Sequence, residues 1–187
     1  SLIKILPPSS MIYRDKPFLS QLKKISILDL LARNPKDLDN KKIGAFIKNK
    51  TILITGSAGT IGGELVKIAI LNGSKKIIAL DHNEYGQYNL LERNHDNIVV
   101  LVGSVLNKGF LLQIFKKYKP DIVLHAAAYK HVHLSEYSLD STLKNNIVGT
   151  MNIVDQSIKN RVEKFILIST DKAVKPTNIM GASKSIC

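Results

Sequence analysis

From Lys50 onward, short apolar runs rich in β-branched residues alternate with stretches whose apolar positions recur every three or four residues. That alternation predicts βαβ units, and so an α/β fold with a doubly wound parallel sheet covered by helices on both faces. Strands are expected near 51–55, 77–81, 98–102, 121–126 and 165–169. Between them, Ile61, Leu65, Ile68 and Ala69 make an apolar face stopped by Gly73, and Phe110, Leu111, Ile114 and Phe115 make another stopped by Pro120. A longer helix over 140–159 is expected to bury Leu143, Ile147, Met151 and Val154. Residues 1–49 read differently, because Pro7-Pro8, Ser9-Ser10 and Pro17 interrupt any period. Ser26 and Asp39 then offer caps for short helices carrying Ile27, Leu28, Leu30 and Leu31, and Ile43, Phe46 and Ile47. The expected organisation is an N-terminal helical arm over 1–49 and an α/β domain over 50–187.

Composition narrows this picture only slightly. The chain of 187 residues is 44% hydrophobic, enough for one packed core, and its only cysteine is Cys187. An internal disulfide is therefore excluded, and a reducing, cytoplasmic compartment is expected. No apolar run approaches the roughly 20 residues of a membrane helix, and residues 1–10 lack the pattern of a signal peptide. The formal charge of +12 suits a nucleic acid, a membrane surface or an anionic substrate alike. Lysine pairs at Lys23-Lys24, Lys41-Lys42, Lys75-Lys76 and Lys116-Lys117 are spread along the chain, which reads as solvated faces and not as a nucleic-acid module.

Candidate chemistry begins at the first strand of the domain. Thr55 leads into Gly56, Ser57, Ala58, Gly59, Thr60, Ile61 and Gly62, a loop that opens a helix and turns backbone N–H groups toward any anion above it. Its glycines have the Gly-x-x-Gly-x-x-Gly spacing of short-chain dehydrogenases, which lets backbone approach a pyrophosphate without a Cβ in the way. Asp81 ends the second strand, where a carboxylate accepts hydrogen bonds from adenosine ribose hydroxyls and repels a 2′-phosphate. NAD is thus favoured over NADP, with a cap on the helix near Asn83 as the competing role of Asp81.

Residues 165–184, FILISTDKAVKPTNIMGASK, and 125–136, HAAAYKHVHLSE, resemble the UDP-N-acetylglucosamine 4,6-dehydratases of bacterial polysaccharide and glycan biosynthesis, which are extended short-chain dehydrogenase/reductases. The likeness extends to Asp29-Leu30-Leu31-Ala32-Arg33 and Asn145-Asn146-Ile147-Val148-Gly149-Thr150. It implies a Rossmann fold of the extended type, NAD as cofactor and a UDP-sugar as substrate. The implied cycle takes hydride from sugar C4, eliminates water across C5 and C6, and returns the hydride to C6. The resemblance makes Asp171 the acid and Lys172 the C5 base, puts Ser104, Val105, Ala126 and Ala127 beside the cofactor, and puts Lys130, His131 and Asn146 beside the substrate. Relatives usually carry aspartate at the position of Ser104, and proline and methionine where His133 and Ser135 stand.

These roles make demands on protonation. Asp171 must hold a proton when it donates, so its pKa should be raised, and Lys172 must be neutral when it accepts, so its pKa should be lowered. A plain ion pair between the two would push both the wrong way. Met180 stands where the wider superfamily has a base tyrosine, and a thioether has no proton to exchange. Methionine at this position resembles the branch with a membrane region ahead of the catalytic part, which implies attachment to the inner membrane with the catalytic part facing the cytoplasm. Thr170, or a water it holds, is then the expected relay for the O4 proton, and Lys184 the contact to the nicotinamide ribose. His125, His131 and His133 lack the spacing of a metal site.

Because these dehydratases resemble two-part enzymes whose later segment closes over the UDP-sugar, this stretch is expected to be a fragment without that segment, from a homodimer. Two other readings stay open: a non-catalytic NAD-sensing module, and another nucleotide-sugar epimerase or dehydratase. A nucleic-acid binder would show a steep salt dependence.

Overall fold

The apolar runs pair as five parallel strands. The structure, a computed structural model, describes residues 4–5, 23–24, 39–92 and 95–187. Within residues 1–39, strands β1 (Lys4–Ile5) and β2 (Lys23–Lys24) pair antiparallel, and the caps expected around Ser26 lie outside the described residues. The remainder, Asn40–Cys187, forms one unit. In chain order it contains α1 (Asn40–Ile47), β3 (Thr51–Thr55), α2 (Thr60–Leu71), β4 (Lys76–Asp81), α3 (Glu84–Leu91), β5 (Ile98–Val102), α4 (Lys108–Tyr118) and β6 (Ile122–His125). Then come α5 (Val132–Tyr137), α6 (Leu139–Leu143), a π-helical segment (Lys144–Val148), α7 (Gly149–Lys159), β7 (Lys164–Leu167), a 3₁₀ turn (Asp171–Ala173) and α8 (Ile179–Ile186).

The sheet runs β5-β4-β3-β6-β7, so its order reverses between β3 and β6. The central strand β3 is buried along its whole length. Its alternation sends Ile52 and Ile54 into one layer, with Val66 and Ala69 of α2, and Leu53 into the other, with Leu111 and Phe115 of α4 and Ile153 of α7. Each such fully buried aliphatic side chain contributes about 1.5–3 kcal/mol relative to exposure. Helix α1, from the segment read as an arm, packs Ile47 into the first of these layers, with Ile43 and Phe46 against it.

The segment expected as one helix over 140–159 departs from its sequence reading in two ways. It is continuous but widens to π geometry at Lys144–Val148, and the side it buries is largely polar. Met151 is 58% exposed, whereas Asn145, Asn146, Thr150, Asn152 and Ser157 are buried. Periodicity of apolar residues misplaced this face because polar groups beneath it satisfy one another, as the site shows.

Candidate active site

The C-terminal ends of the strands converge on a cleft of about 250 Å³ over the reversal between β3 and β6, the place where open α/β sheets hold ligands. Gly56, Gly59, Thr60, Ile61, Gly62, Asp81, Val105, Ala126, Ala127 and Lys130 all line it. Gly56 has φ +72°, and a Cβ there would lie 2.7 Å from the backbone of Ala126 and Ala127. A Cβ on Gly62 would collide with the carbonyl of Gly56. The loop therefore needs hydrogen at Gly56 to lie against the chain leaving β6, and at Gly62 to lie against the helix it opens. Gly59 is the N-cap of α2 and provides no side-chain cap, so the first N–H groups of that helix are left for whatever enters the cleft.

Asp81 is buried and tied to this loop. Its Oδ2 accepts from the Ala58 N–H at 3.0 Å and its Oδ1 from the Asn83 N–H at 2.9 Å. Capping of α3 falls instead to Asn83, whose side chain accepts from the Gly86 N–H. Ser57 faces inward: its hydroxyl donates to Gln87 at 2.9 Å, and Gln87 donates to the carbonyls of Ala79 and Leu101 at 2.8 and 2.7 Å. Ser57 thus anchors the loop to β4 and β5 and does not line the cleft. Ser104 also stays off its wall, accepting from the Leu106 N–H at 3.2 Å. Asn145 lines the cleft and was missed; Gln87 was missed as well. Asn145 stands in the stretch 145–150 that carries part of the resemblance, whereas Gln87 has no sequence signal, being one polar residue on a helix.

Beneath the cleft, a buried polar chain joins β3, β6, the π segment and α8. Thr150 donates its hydroxyl proton to the Asn146 carbonyl at 2.6 Å, so His125 Nε2, 2.9 Å from the same hydroxyl, must be the N–H of the ring. Nδ1 then accepts from Thr55 Oγ1 at 2.6 Å. Burial, helped by the charge of Lys184, lowers the His125 pKa to about 4. The ring is therefore neutral at pH 7, while an unfolded chain would start to protonate it near pH 6.5. Stability carried by the neutral ring is complete above that value and falls as pH drops toward 4, by up to about 3 kcal/mol. Urea unfolding at pH 7 and pH 4.5 should show this loss shrink by about 2 kcal/mol in His125→Asn; an unchanged loss would assign the pH dependence elsewhere.

Asn146 has a different place from the substrate contact expected of it. Its Oδ1 accepts from the Tyr129 N–H at 2.8 Å, and its Nδ2 donates to the Tyr129 carbonyl at 3.1 Å and to Ser183 Oγ at 2.9 Å. It is buried and its hydrogen-bonding capacity is taken up by protein, so it clamps the Tyr129-Lys130-His131 loop to α8. Lys130 lines the cleft, whereas His131 lines a neighbouring pocket with Leu134 and Thr142. Glu136 further fixes α8 by accepting from the Ile179 N–H at 2.9 Å.

The turn expected to carry the reaction follows β7. Thr170 accepts from the Lys172 N–H at 3.4 Å and donates to Asp171 Oδ1 at 3.0 Å, while Lys172 Nζ stands 3.5 Å from the same carboxylate oxygen. A Cβ on Gly181 would strike the Lys172 carbonyl, so this turn rests directly on α8. Neither Thr170, Asp171, Lys172 nor Lys184 lines the cleft. The expectation for Asp171 is reversed here: its side chain is 89% exposed, and the Thr170 hydroxyl first, then the Lys172 ammonium, hold its pKa below the usual carboxylate value. Hydrogen bonds and a cation both favour the ionised form, and desolvation, which opposes them, is the smallest influence on the group. On α8, Met180 and Lys184 are one turn apart and both buried. Burial lowers the Lys184 pKa.

A family model described as polysaccharide biosynthesis protein matches residues 52–187. The chain is 41% identical over 174 residues to the capsular polysaccharide biosynthesis protein CapD of Staphylococcus aureus, covering 90% of this chain and 29% of that protein. It is 37% identical over 137 residues to the inverting UDP-N-acetylglucosamine 4,6-dehydratase of Campylobacter jejuni subsp. jejuni serotype O:23/36 (strain 81-176), covering 72% of this chain and 40% of that one. Among solved structures, the Bordetella bronchiseptica enzyme WbmG in complex with NAD and UDP superposes with a TM-score of 0.63 at 27% identity, over 72% of this chain and 47% of that chain. The chain spans between 29% and 42% of the length of the first curated relatives it matches.

Proposed function

Because this chain belongs to the polysaccharide biosynthesis protein family, whose model covers residues 52–187, we propose that it is the NAD-binding part of a nucleotide-sugar 4,6-dehydratase acting on UDP-N-acetylglucosamine. The observation that carries this reading is the glycine cradle closed by Asp81. Gly56 and Gly62 leave space that any Cβ would fill, and the Asp81 carboxylate is fixed to the same loop through Ala58. Those residues fit a dinucleotide: the loop and the start of α2 for its pyrophosphate, Asp81 for its adenosine ribose, Val105, Ala126 and Ala127 for its apolar flanks. When bound, NAD supplies a hydride acceptor for sugar C4 and later a hydride donor for C6.

The chain's own residues then carry the protons. Lys172 takes the C5 proton, and Asp171 gives a proton to the departing C6 hydroxyl, so one water leaves and a C5–C6 double bond forms; when hydride reaches C6, Lys172 returns a solvent-exchanged proton to C5. Thr170, or a water on its hydroxyl, relays the O4 proton, because the buried Met180 has none to exchange. Lys184 and Lys130 supply positive charge toward the cofactor ribose and the sugar diphosphate. The depressed pKa of Asp171 belongs to the open turn; a sugar ring covering it would remove water and favour the protonated form. We move the boundary between arm and catalytic domain from residues 49–50 to 39–40, because α1 packs into the domain's core, and read the active assembly as a homodimer, attached to the inner membrane and facing the cytoplasm.

Fluorescence titration with reduced cofactors tests the nucleotide assignment. NADH should bind at least about tenfold more tightly than NADPH, as expected for one repulsive charge contact. Asp81→Asn should erase that preference while keeping an acceptor for the loop. Equal binding of both cofactors by the unaltered chain would remove Asp81 from this role. The exposed Asp171–Lys172 ion pair favours a second reading, a non-catalytic NAD-binding module. That module would bind cofactor and leave UDP-N-acetylglucosamine unchanged.

A further inference from the structure

The basic charge of the described chain is concentrated at the end of the sheet opposite the cleft. That end is defined by the pairings Thr51 with Lys76, Ile77 with Ile98 and Ile122 with Lys164, and it comprises residues 48–50, 72–76, 95–97, 116–121 and 159–164. Residues 39–92 and 95–187 hold nineteen Lys and Arg and twelve Asp and Glu. Ten of those bases and three of those acids stand at this one end, leaving nine of each elsewhere, so the excess of seven positive charges lies entirely there. Only Lys50 has a carboxylate partner among the described residues at this end, Glu163 at 2.7 Å. Residues 1–38 carry seven Lys and Arg against three Asp, so they hold no surplus of acids to neutralise it.

Helix dipoles explain part of this. Lys116, Lys117 and Lys159 lie in the last turns of α4 and α7, where cations are favoured. They do not explain Lys75, Lys76 and Lys164, which sit at strand starts and are exposed. Lys119 and Arg161 have φ +45° and +55°, left-handed positions that glycine would fill without strain. Two large aliphatic side chains share this end: Leu71, 83% exposed at the end of α2, and Ile158, 71% exposed near the end of α7.

From these observations together we infer that the sheet's N-terminal end is a docking face for an anionic lipid bilayer. Lysines meet the headgroup phosphates, and Leu71 and Ile158 enter the interface from opposite sides of the sheet. The cleft, at the other end of the strands, then opens away from the lipid. Lone aliphatic tips suit hydrocarbon, whereas a single-stranded nucleic acid would call for aromatic platforms. The face acts by itself and needs neither an anchoring segment nor the enzymatic reading above.

Cosedimentation of the full 187-residue chain with vesicles tests it, comparing mixed phosphatidylglycerol and phosphatidylcholine with phosphatidylcholine alone. Binding should require the anionic lipid and weaken with added salt. The double variant Lys75→Glu/Lys76→Glu should lower partition at least about 25-fold, since each lysine near such a surface contributes about fivefold. Lys108→Glu/Lys144→Glu, the same charge change away from this end, should stay within about twofold of the unaltered chain. Leu71→Asp should weaken binding even at low salt. The inference is overturned if both double variants lose binding equally, if Lys75→Glu/Lys76→Glu keeps it, if neutral vesicles bind as well, or if single- or double-stranded nucleic acid binds more tightly than the anionic vesicles. Circular dichroism separates misfolding from lost binding, and a misfolded variant is replaced by Lys116→Glu/Lys117→Glu with the same expected loss.

Discussion

Gly62→Val is expected to lower NAD affinity by about a hundredfold while the sheet stays folded. The reason is local. A Cβ at this position meets the carbonyl of Gly56, which is backbone and has no rotamer to move aside. The loop must lift from the start of α2, and its N–H groups no longer converge with those of the helix on one anion. The hydrogen bonds that seat the loop, Ala58 to Asp81 and Ser57 to Gln87, would be stretched by the same movement. A cofactor titration beside a thermal melt reads both quantities. Unchanged affinity would show that the pyrophosphate does not sit on this loop; lost affinity together with lost fold would be resolved by the milder Gly62→Ala.

Asp171→Asn should reduce turnover by about 10²- to 10⁴-fold, the usual span for a general acid, with little change in substrate affinity or melting temperature. Thermal stability should hold because the Asp171 side chain is 89% exposed and its polar partners among the described residues are its sequence neighbours Thr170 and Lys172. An amide keeps the shape and the acceptor but has no acidic proton. Steady-state kinetics on UDP-N-acetylglucosamine would measure the drop. Full activity in the variant would show that some other group protonates the C6 hydroxyl. A fall in melting temperature with activity preserved would make the Asp171–Lys172 contact a structural ion pair.

The inner strands β4, β3 and β6 were legible because they are buried on both faces, and such strands announce themselves as apolar β-branched runs. All five expected strands are present, with ends within two residues of the expected ones, as at Lys164–Leu167. The glycine loop was equally legible, because Gly56 and Gly62 answer to backbone geometry and not to side-chain context. The segment around Asn146 was not. Its buried side consists of Asn145, Asn146, Thr150 and Asn152, and polar residues at helical spacing read as a solvated face unless their partners are known. Those partners, Tyr129, Ser183, His125 and Val105, lie as far as 47 positions away in sequence. The protonation of Asp171 was misjudged for a related reason: a pKa depends on what covers the group, and sequence says which residues adjoin it but not how much water remains.

The most direct test of the account is mass spectrometry of UDP-N-acetylglucosamine after incubation in deuterated water with NAD and the longest form of this chain that can be expressed. The account predicts a product that has lost one water, keeps its UDP group and carries one deuterium at C5, from exchange through Lys172. Recovery of unaltered substrate from a preparation shown to bind both NAD and the UDP-sugar would contradict it.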